Sequence, residues 1–222
     1  IASNSEHLNG SNQLKVVNEF STESENLRVA WGWAIKNNQL QLILGAGNSY
    51  SIYHNYHNHY NAGRNEMYRA IQHVEQQAED ALQGTALAEL LAGHAWLSIR
   101  LGQFDLAYSH FERCIELRAK YNASSYGFTT DGLSGLSLIS GMRGHHDEAI
   151  RLGLQSYEGN IARSDRVNPI MTCYVLVSTY FAQGLYQEAL QYAEEAKSHA
   201  EHAGNDWFLA LILNDLGRIN RV

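Results

Sequence analysis

The chain has 222 residues and a mass of 24.9 kDa, with 45% apolar residues, 18% charged residues and a single proline. Average usage would give roughly eleven prolines at this length, so the composition disfavours turn-rich β-sandwiches and favours long, uninterrupted helices. Sixteen basic residues against 23 acidic ones give a net charge of −7, which argues against direct binding of nucleic acid. The two cysteines, Cys114 and Cys173, form no disulfide framework and indicate a reducing compartment.

No targeting segment is apparent at the start of the chain. Residues 1–15 have neither a basic start nor an apolar run, so no secretory signal peptide is predicted. No stretch approaches the ~18 consecutive apolar residues that a membrane span needs. The first residue is Ile rather than Met, so we expect this chain to be part of a longer, cytoplasmic protein with no membrane partner.

The first 38 residues divide into a polar segment and a helix. Residues 1–20 are rich in Asn and Ser and are predicted to form a polar lead-in or linker. Two hydroxyl residues and an acid at residues 21–23 are typical of a helix start. Apolar residues then recur at three- and four-residue spacing until Asn37 and Asn38, so residues 21–38 are predicted to be a capping helix.

From residue 39 onwards, helical patterns of about 15–20 residues alternate with short breaks that contain glycine. The glycines of these breaks, at intervals of 39, 42 and 40 residues, are Gly63, Gly102, Gly144 and Gly184. A period of that size made of two helices is typical of helical repeats. Each glycine is expected to provide the turn between two antiparallel helices. Since each amphipathic pair cannot bury its apolar face alone, neighbouring pairs are expected to stack.

Small residues predict where the two helices of a pair cross closely. The residues five after each glycine are Tyr68, Ala107, Ala149 and Ala189. The facing positions, twelve residues before the alanines and one further period along, are Ala95, Ser137, Val177 and Gly217. Residues 39–222 are therefore predicted to hold repeats, the last of which is truncated after its first helix.

These motifs resemble the tetratricopeptide repeat, in which a G-x-[aromatic]-x-x-A turn follows a first helix that carries a small residue. Residues 102–107 (GQFDLA) and 184–189 (GLYQEA) match this pattern, and residues 144–149 (GHHDEA) have His146 in the aromatic slot. The resemblance covers residues 40–222. It implies an all-α, right-handed superhelix, or α-solenoid, whose first helices line a concave surface. The spacing exceeds the usual period of about 34 residues, which indicates a variant with longer helices.

A second resemblance concerns residues 23–35 (ESENLRVAWGWAI). They are similar to the E-x-x-N-L-R-x-A-L-x-W-A-L segment of large bacterial signal-transduction ATPases that regulate transcription. In those multidomain proteins the segment enters a C-terminal helical-repeat sensor, and a G-x-x-x-E-G-x-x-x-L turn follows. Here Met67 and Tyr68 replace the Glu and Gly of that turn. The resemblance implies that the chain is the sensor or scaffold part of a larger bacterial regulator.

Motifs that would suggest catalysis are incomplete. Residues 42–47 (LILGAG) lack the third glycine of a dinucleotide-binding loop, because Tyr50 stands in its place. Residues 132–136 (GLSGL) end on Leu where a nucleophile elbow needs Gly. The sequence contains no P-loop motif. Both glycine-containing segments are therefore interpreted as parts of helices.

Aromatic and charged residues are predicted to line the concave surface as a binding groove. The selected positions lie one, four and five residues after the small crossing residue of each first helix, and three and six before it. They are Tyr50, Tyr53, His57, Tyr60, Asn61, Glu89, Trp96, Arg100, Asp131, Ser134, Met142, Tyr174, Phe181, Asn214, Arg218 and Arg221. Such a groove suits an extended peptide or a small molecule. The alternative is that some of these rings pack between helices.

We therefore predict a non-catalytic protein- or ligand-binding module, without catalytic residues, metal or cofactor. Its expected partner is a protein or peptide, or a small-molecule effector, and the apolar face of the truncated repeat suits a homodimer. The alternative function is a metal-dependent enzyme. Glu195, His199 and His202 share one helical face and could hold a metal if three or four ligands converge there. The alternative for these residues, and for the histidine clusters at residues 54–59 and 145–146, is a polar helix surface.

Overall fold

The computed structural model describes residues 12–123, 131–165 and 167–222. These residues form helices, turns and short connections, with no strand among them, which confirms the predicted all-α class. Two compact units divide the chain, and the described residues 12–123 belong to the first while those from 131 onwards belong to the second. Within the described ranges, no helix is both long enough and apolar enough to cross a bilayer.

The first unit is built around one central helix. Its helices are α1 (Gln13–Thr22), α2 (Ser24–Lys36), α3 (Leu40–Tyr56), α4 (Tyr60–Val74), α5 (Ala81–Arg100) and α6 (Phe104–Tyr121). Helix α5 packs against α3, α4 and α6. Residues 86–98 of α5 are all buried except Trp96. The buried residues of α5 are mostly small or apolar and lie on all sides of the helix. This is the pattern of a helix surrounded by other helices.

The start of the chain differs from the predicted polar lead-in. Residues 1–11 lie outside the described part, but α1 begins at Gln13 and buries Val16, Val17 and Phe20. The Phe20 ring meets Tyr53 of α3 edge-on, with ring centroids 6.3 Å apart. These apolar residues repeat at helical spacing, so a polar composition around them did not prevent a packed helix.

The helix pairs turn with one hydrogen-bond pattern. A residue with positive φ follows each first helix, and the next N–H reaches back to the fifth carbonyl before it at 2.9–3.0 Å, as in a Schellman motif. The positive-φ residues are Asn58, Gly102, Gly144 and Gly184, with φ of 56°, 73°, 78° and 75°. Three of the four turns are therefore where the glycines predict them.

The turn of the first pair lies at Asn58 and not at Gly63, so the prediction for this pair is wrong by five residues. Gly63 is inside α4, in the place that alanine occupies in the other three pairs. A Cβ atom on Gly63 would come within 2.5 Å of the His54 side chain. Helices α3 and α4 thus approach too closely for any side chain there. Asn58 replaces the turn glycine because Asn tolerates the left-handed region better than most residues.

The second unit contains two helix pairs and one further helix. Its helices are α7 (Gly132–Met142), α8 (His146–Ala162), α9 (Asn168–Ala182), α10 (Tyr186–Ala203) and α11 (Asp206–Ile219). The pairs are α7–α8 and α9–α10, and α9 contacts both α7 and α11. Ala149 and Ala189 are fully buried, which confirms the close crossings predicted there. Gly217 of α11 is exposed, and no atom lies within 4 Å of its Cβ position.

Candidate functional site

Two of the predicted groove residues of the second unit lie in a buried polar cluster instead. Asp131 and Ser134 are 7% and 0% exposed. Asp131 Oδ1 caps α7 by accepting the N–H groups of Leu133 and Ser134 at 3.1 and 3.3 Å. Asp131 Oδ2 accepts from Ser134 Oγ at 3.1 Å, from Ser156 Oγ at 2.5 Å and from Asn160 Nδ2 at 2.8 Å. The structure therefore corrects the prediction that Asp131 and Ser134 face a ligand.

The cluster connects three helices, and three of its five residues, Ser156, Asn160 and Thr172, were not predicted from the sequence. Thr172 of α9 places its Oγ1 2.6 Å from Ser134 Oγ and 3.1 Å from Ser156 Oγ. Ser156 and Asn160 lie on α8 and are 2% and 0% exposed. Their only sequence signal is their spacing, because they continue the buried stripe that begins at Ala149 at three- and four-residue steps. Buried polar groups satisfied in this way specify how helices pack.

The exposed surface shared by the first helices of the second unit is the strongest candidate binding surface. We call it the α7–α9–α11 face, and its exposed or half-buried members are Met142, Ser178, Phe181, Ala182, Asn214 and Arg218. A pocket of about 150 Å³ lies between α7 and α9, lined by Leu138, Gly141, Met142, His146, Val175, Ser178, Thr179 and Ala182. Met142 is 56% exposed. A small, mainly apolar pocket of this kind suits one aliphatic side chain.

Phe181 and Arg218 come from neighbouring repeats and meet on this face. The Arg218 guanidinium lies 4.6 Å from the centroid of the Phe181 ring, within the range of a cation–π interaction. Arg218 Nη1 also donates to Asp215 Oδ1 at 2.9 Å. The Asp215 side chain is nearly buried whereas half of the Arg218 side chain is exposed. The carboxylate therefore orients the guanidinium and leaves part of it open to a partner.

The other predicted groove residues of the second unit are Tyr174, Asn214 and Arg221. Tyr174 is half-buried and meets Phe208 edge-on, with ring centroids 6.3 Å apart. Asn214 and Arg221 are exposed, and Arg221 Nε donates to the carbonyl oxygen of Gly217 at 2.9 Å. Tyr174 thus contributes mainly to the packing of α9 on α11, while Asn214 is available on the surface.

In the first unit, three predicted groove residues lie on α5, and two of them are Trp96 and Arg100. Arg100 is exposed and donates from Nε to Asn55 Oδ1 of α3 at 3.1 Å. Trp96 is half-buried and meets Phe111 of α6 edge-on, with ring centroids 5.5 Å apart. Its indole N–H is buried and has no hydrogen-bond partner in the structure. Arg100 is thus a surface residue, whereas Trp96 contributes to the contact between α5 and α6.

Glu89, the third predicted residue of α5, is 8% exposed and pairs with Arg118 of α6 at 3.1 Å. Burial raises the pKa of Glu89 to about 7, although the Arg118 charge and hydrogen bond act in the opposite direction. The ion pair therefore joins the two helices of one repeat. It leaves no open carboxylate for a ligand.

The remaining predicted groove residues of the first unit were selected by counting from Gly63, whereas the turn lies at Asn58. Tyr50 is 2% exposed, stacks on Trp31 with ring centroids 4.6 Å apart and donates its hydroxyl to the Glu66 carboxylate. Tyr53, which is 6% exposed, packs between α1 and α3. The structure corrects the prediction for both rings, which are core residues.

Residues of the first turn make local contacts. His57 Nε2 lies 2.7 Å from Ser21 Oγ, and the Tyr60 hydroxyl donates to Asn58 Oδ1 at 2.5 Å. Asn61 is exposed. With the turn at Asn58, the same spacing rule selects Gly45, Asn48, Ile52, Asn55 and Tyr56. Asn55 is the residue that Arg100 contacts. The sequence feature that would have located this turn is Asn58, because asparagine can replace glycine at a helix C-terminus with positive φ.

Two histidines of the first unit are buried, and one of them, His54, belongs to a cluster interpreted as helix surface. His54 is 5% exposed, and both of its ring nitrogens lack a hydrogen-bond partner. Burial, with the neighbouring His59 and His57 rings, lowers the pKa of His54 to about 4. His94 is 2% exposed, and burial, His110 and Arg64 lower its pKa to about 3. Both imidazoles are therefore neutral at neutral pH.

The suggested metal ligands do not converge. The Glu195 carboxylate accepts the Tyr157 hydroxyl at 2.5 Å, and the His199 ring lies edge-on to Tyr157. His202 Nδ1 lies 2.7 Å from the carbonyl oxygen of Ser198. In the part of the chain that the structure describes, no three His, Cys, Asp or Glu side chains are placed to hold a metal ion.

Comparison with protein families matches residues 88–121 to a model described as tetratricopeptide repeat. The match begins within α5, crosses the turn at Gly102 and ends with α6, so it covers one helix pair of the first unit. It confirms the resemblance over that pair. Repeats of this kind generally mediate interactions between proteins. Comparison with curated proteins gives no match.

Proposed function

We propose that the chain is a non-catalytic binding module that recognises a segment of a partner protein, with the α7–α9–α11 face as one of its contact surfaces. The observation that supports this most is the meeting of Phe181 and Arg218 beside an apolar pocket. Interfaces are enriched in aromatic residues, Met and Arg, which combine large contact area with directional hydrogen bonds. The tetratricopeptide repeat at residues 88–121 supports a partner that is a protein.

The chemistry of this face indicates the kind of segment it would take. An aliphatic side chain fits the pocket beside Met142, and an acidic side chain fits the exposed part of the Arg218 guanidinium. The cation–π contact with Phe181 restricts the guanidinium before binding, which reduces the conformational entropy that binding costs. An extended segment with an aliphatic and an acidic residue is therefore the proposed ligand class.

We propose in addition that the module is the sensor or scaffold part of a larger bacterial regulator. The support is the similarity of residues 23–35 to the segment that precedes the helical sensor of such proteins. These residues fall in α2, whose Trp31 stacks on Tyr50 and joins α2 to the first helix pair. The full-length reading frame tests this proposal, since a P-loop upstream or a helix-turn-helix at either end would support it and their absence would contradict it.

A displayed-peptide library selected on the purified chain tests the binding proposal. The selected peptides are measured by isothermal titration calorimetry against Arg218→Ala, Met142→Ala and the control Arg151→Ala. Arg151 of α8 is a matched control, because it is also an exposed arginine paired with an acid three residues earlier, Glu148. We expect Arg218→Ala and Met142→Ala each to weaken binding about tenfold, which corresponds to about 1.4 kcal/mol, and Arg151→Ala to leave it unchanged.

Two outcomes would contradict the proposal. One is that no peptide is selected with a Kd below about 100 µM, an affinity that even weak peptide-recognition surfaces reach. The other is that the selected peptides bind the three variants equally well, which would place their contact surface elsewhere on the chain.

A further inference from the structure

The first unit carries an open pocket of about 550 Å³ that the proposed function does not use. It lies between α4 and the start of α6, and α5 forms its floor. The lining residues are Arg64, Asn65, Tyr68, His94, Gly102, Gln103, Phe104, Asp105 and Leu106. The groove residues predicted on α5, which are Glu89, Trp96 and Arg100, are not among them. The pocket is therefore separate from the predicted groove as well as from the α7–α9–α11 face.

Arg64 is held in this pocket by two neutral amides. Its Nη1 donates to Gln103 Oε1 at 2.6 Å and its Nη2 to Asn65 Oδ1 at 3.1 Å. The backbone of Gln103 is held in the turn, because its N–H donates to the Ser98 carbonyl oxygen at 2.9 Å. Both of these partners are uncharged, so neither amide neutralises the Arg64 guanidinium. Since a guanidinium has five N–H donors, Arg64 is positioned and still has donors for an anion.

The floor of the pocket is an uncharged ring. His94 is 2% exposed, and its ring centroid lies 4.7 Å from that of His110 and 6.0 Å from that of Tyr68. Burial is the main cause that lowers the pKa of His94, and the Arg64 charge adds to it. The His94 ring is therefore an uncharged and nearly buried part of the pocket lining. The Arg64 charge therefore acts on the interior of the pocket, where it favours a negative group.

The walls suit a flat apolar body. Tyr68 and Leu106 are 48% and 39% exposed, and Phe104 is half-buried. Together they present two aromatic rings and one aliphatic side chain to the pocket. Asp105 also lines it and adds one negative charge. That charge tolerates a ligand with one negative group but disfavours a dianion such as a phosphate monoester.

We propose that this pocket binds a monocarboxylate with an aromatic or aliphatic body, with the carboxylate on Arg64 and the body between Tyr68 and Phe104. Arginine pairs with carboxylates through two parallel hydrogen bonds, which gives both affinity and orientation. Two sources carry this chemistry: a free aromatic carboxylic acid, and the C-terminal residue of a peptide. The proposal concerns another surface and another ligand class than the proposed function, and it stands or fails independently of it.

Titration of the purified chain with small probes tests the pocket. The probes are 3-phenylpropionate, its neutral amide, N-acetyl-phenylalanine as a C-terminal residue, and phenyl phosphate as a dianion. Binding is measured by calorimetry and by NMR shift changes of residues on α4 and α6. We expect both carboxylates to bind with a Kd below about 1 mM, and the amide and the phosphate to bind at least tenfold more weakly. The stronger of the two carboxylates identifies the source.

Two arginine variants on one helix provide the matched comparison. Arg64→Gln removes the charge but keeps a polar side chain, while Arg69→Gln changes an exposed arginine of α4 that does not line the pocket. We expect Arg64→Gln to weaken 3-phenylpropionate binding at least tenfold and Arg69→Gln to leave it unchanged. Equal binding to the two variants, or no carboxylate binding to the unmodified chain, would overturn the proposal. If Arg64→Gln does not fold, the acid–amide comparison on the unmodified chain still decides it.

Discussion

Replacement of Asp131 should destabilise the second unit far more than the loss of a helix cap alone. In Asp131→Ala, α7 loses its N-cap, which typically costs about 1 kcal/mol. Ser134 and Ser156 can still reach Thr172 Oγ1, and Asn160 Nδ2 keeps Ser156 Oγ at 3.2 Å. Three buried donors must nevertheless share fewer acceptors, and a lost hydrogen bond to a charged group costs about 1.5–3 kcal/mol. We expect a total of about 3–4 kcal/mol.

Two further variants separate the cap from the buried cluster. Asp80 also caps a helix, since its side chain accepts from the Gln83 N–H at 2.8 Å, but Asp80 is exposed and contacts no buried cluster. Asp80→Ala should therefore cost only about 1 kcal/mol. Asp131→Asn keeps the oxygen that caps α7 but turns an amide donor towards three other donors, so we expect a cost of about 2–3 kcal/mol.

Urea unfolding followed by circular dichroism gives the free energies, and hydrogen exchange resolves them by helix. Because α7, α8 and α9 share the cluster, exchange in all three should accelerate in Asp131→Ala and not in Asp80→Ala. The reasoning is refuted if Asp131→Ala costs no more than Asp80→Ala, or if exchange accelerates in α7 alone. Either result would mean that the cluster contributes nothing beyond the cap.

Two other predictions follow from buried groups of the first unit. Gly63→Ala should lower the free energy of unfolding strongly, because its Cβ would come within 2.5 Å of the His54 side chain. Gly32→Ala, whose Cβ would have no atom within 4 Å, should raise the free energy of unfolding by about 0.5–1 kcal/mol through helix propensity. Equal effects would contradict the close crossing at Gly63. The unfolding free energy should also fall as the pH drops below 6.5, because His54 and His94 have pKa values lowered to about 4 and about 3. The unfolded chain then binds protons that these two folded histidines do not, so their contribution to stability is complete above pH 6.5 and is lost progressively below it. Glu89, whose pKa is raised to about 7, acts in the opposite direction over this range but is one group against two. Urea midpoints measured from pH 7.5 to pH 4.5 check this, and a midpoint that stays constant would contradict it.

The repeat architecture could be predicted from the sequence because turns and close helix crossings each require particular residue types. Glycine at 102, 144 and 184 indicates turns because a backbone with positive φ is open to glycine without steric cost. The alanines five residues later indicate close crossings because helices can approach there only over small side chains. This register also predicts a shared surface for Phe181 and Arg218, whose side chains lie in contact.

Tertiary structure decided which residue fills each role where two residue types are equivalent locally. Either Asn58 or Gly63 could have formed the first turn, and only the contact of Gly63 with His54 shows that the glycine serves the helix crossing. That shift of five residues moved Tyr50 and Tyr53 from an expected groove into the core.

The sequence by itself thus determined the helix class, the repeat period and three of the four pair turns, since these depend on residues close together in the chain. The tertiary structure alone decided the Asp131 cluster and the Arg64 pocket. In the first, Asp131, Ser156 and Thr172 come from three segments that meet only when α8 and α9 pack on α7. In the second, α4 must place Arg64 against a turn 39 residues away. Helical periodicity states which face a residue occupies, but not its height along the helix or its neighbour across the packing, and those two quantities decide whether polar groups converge.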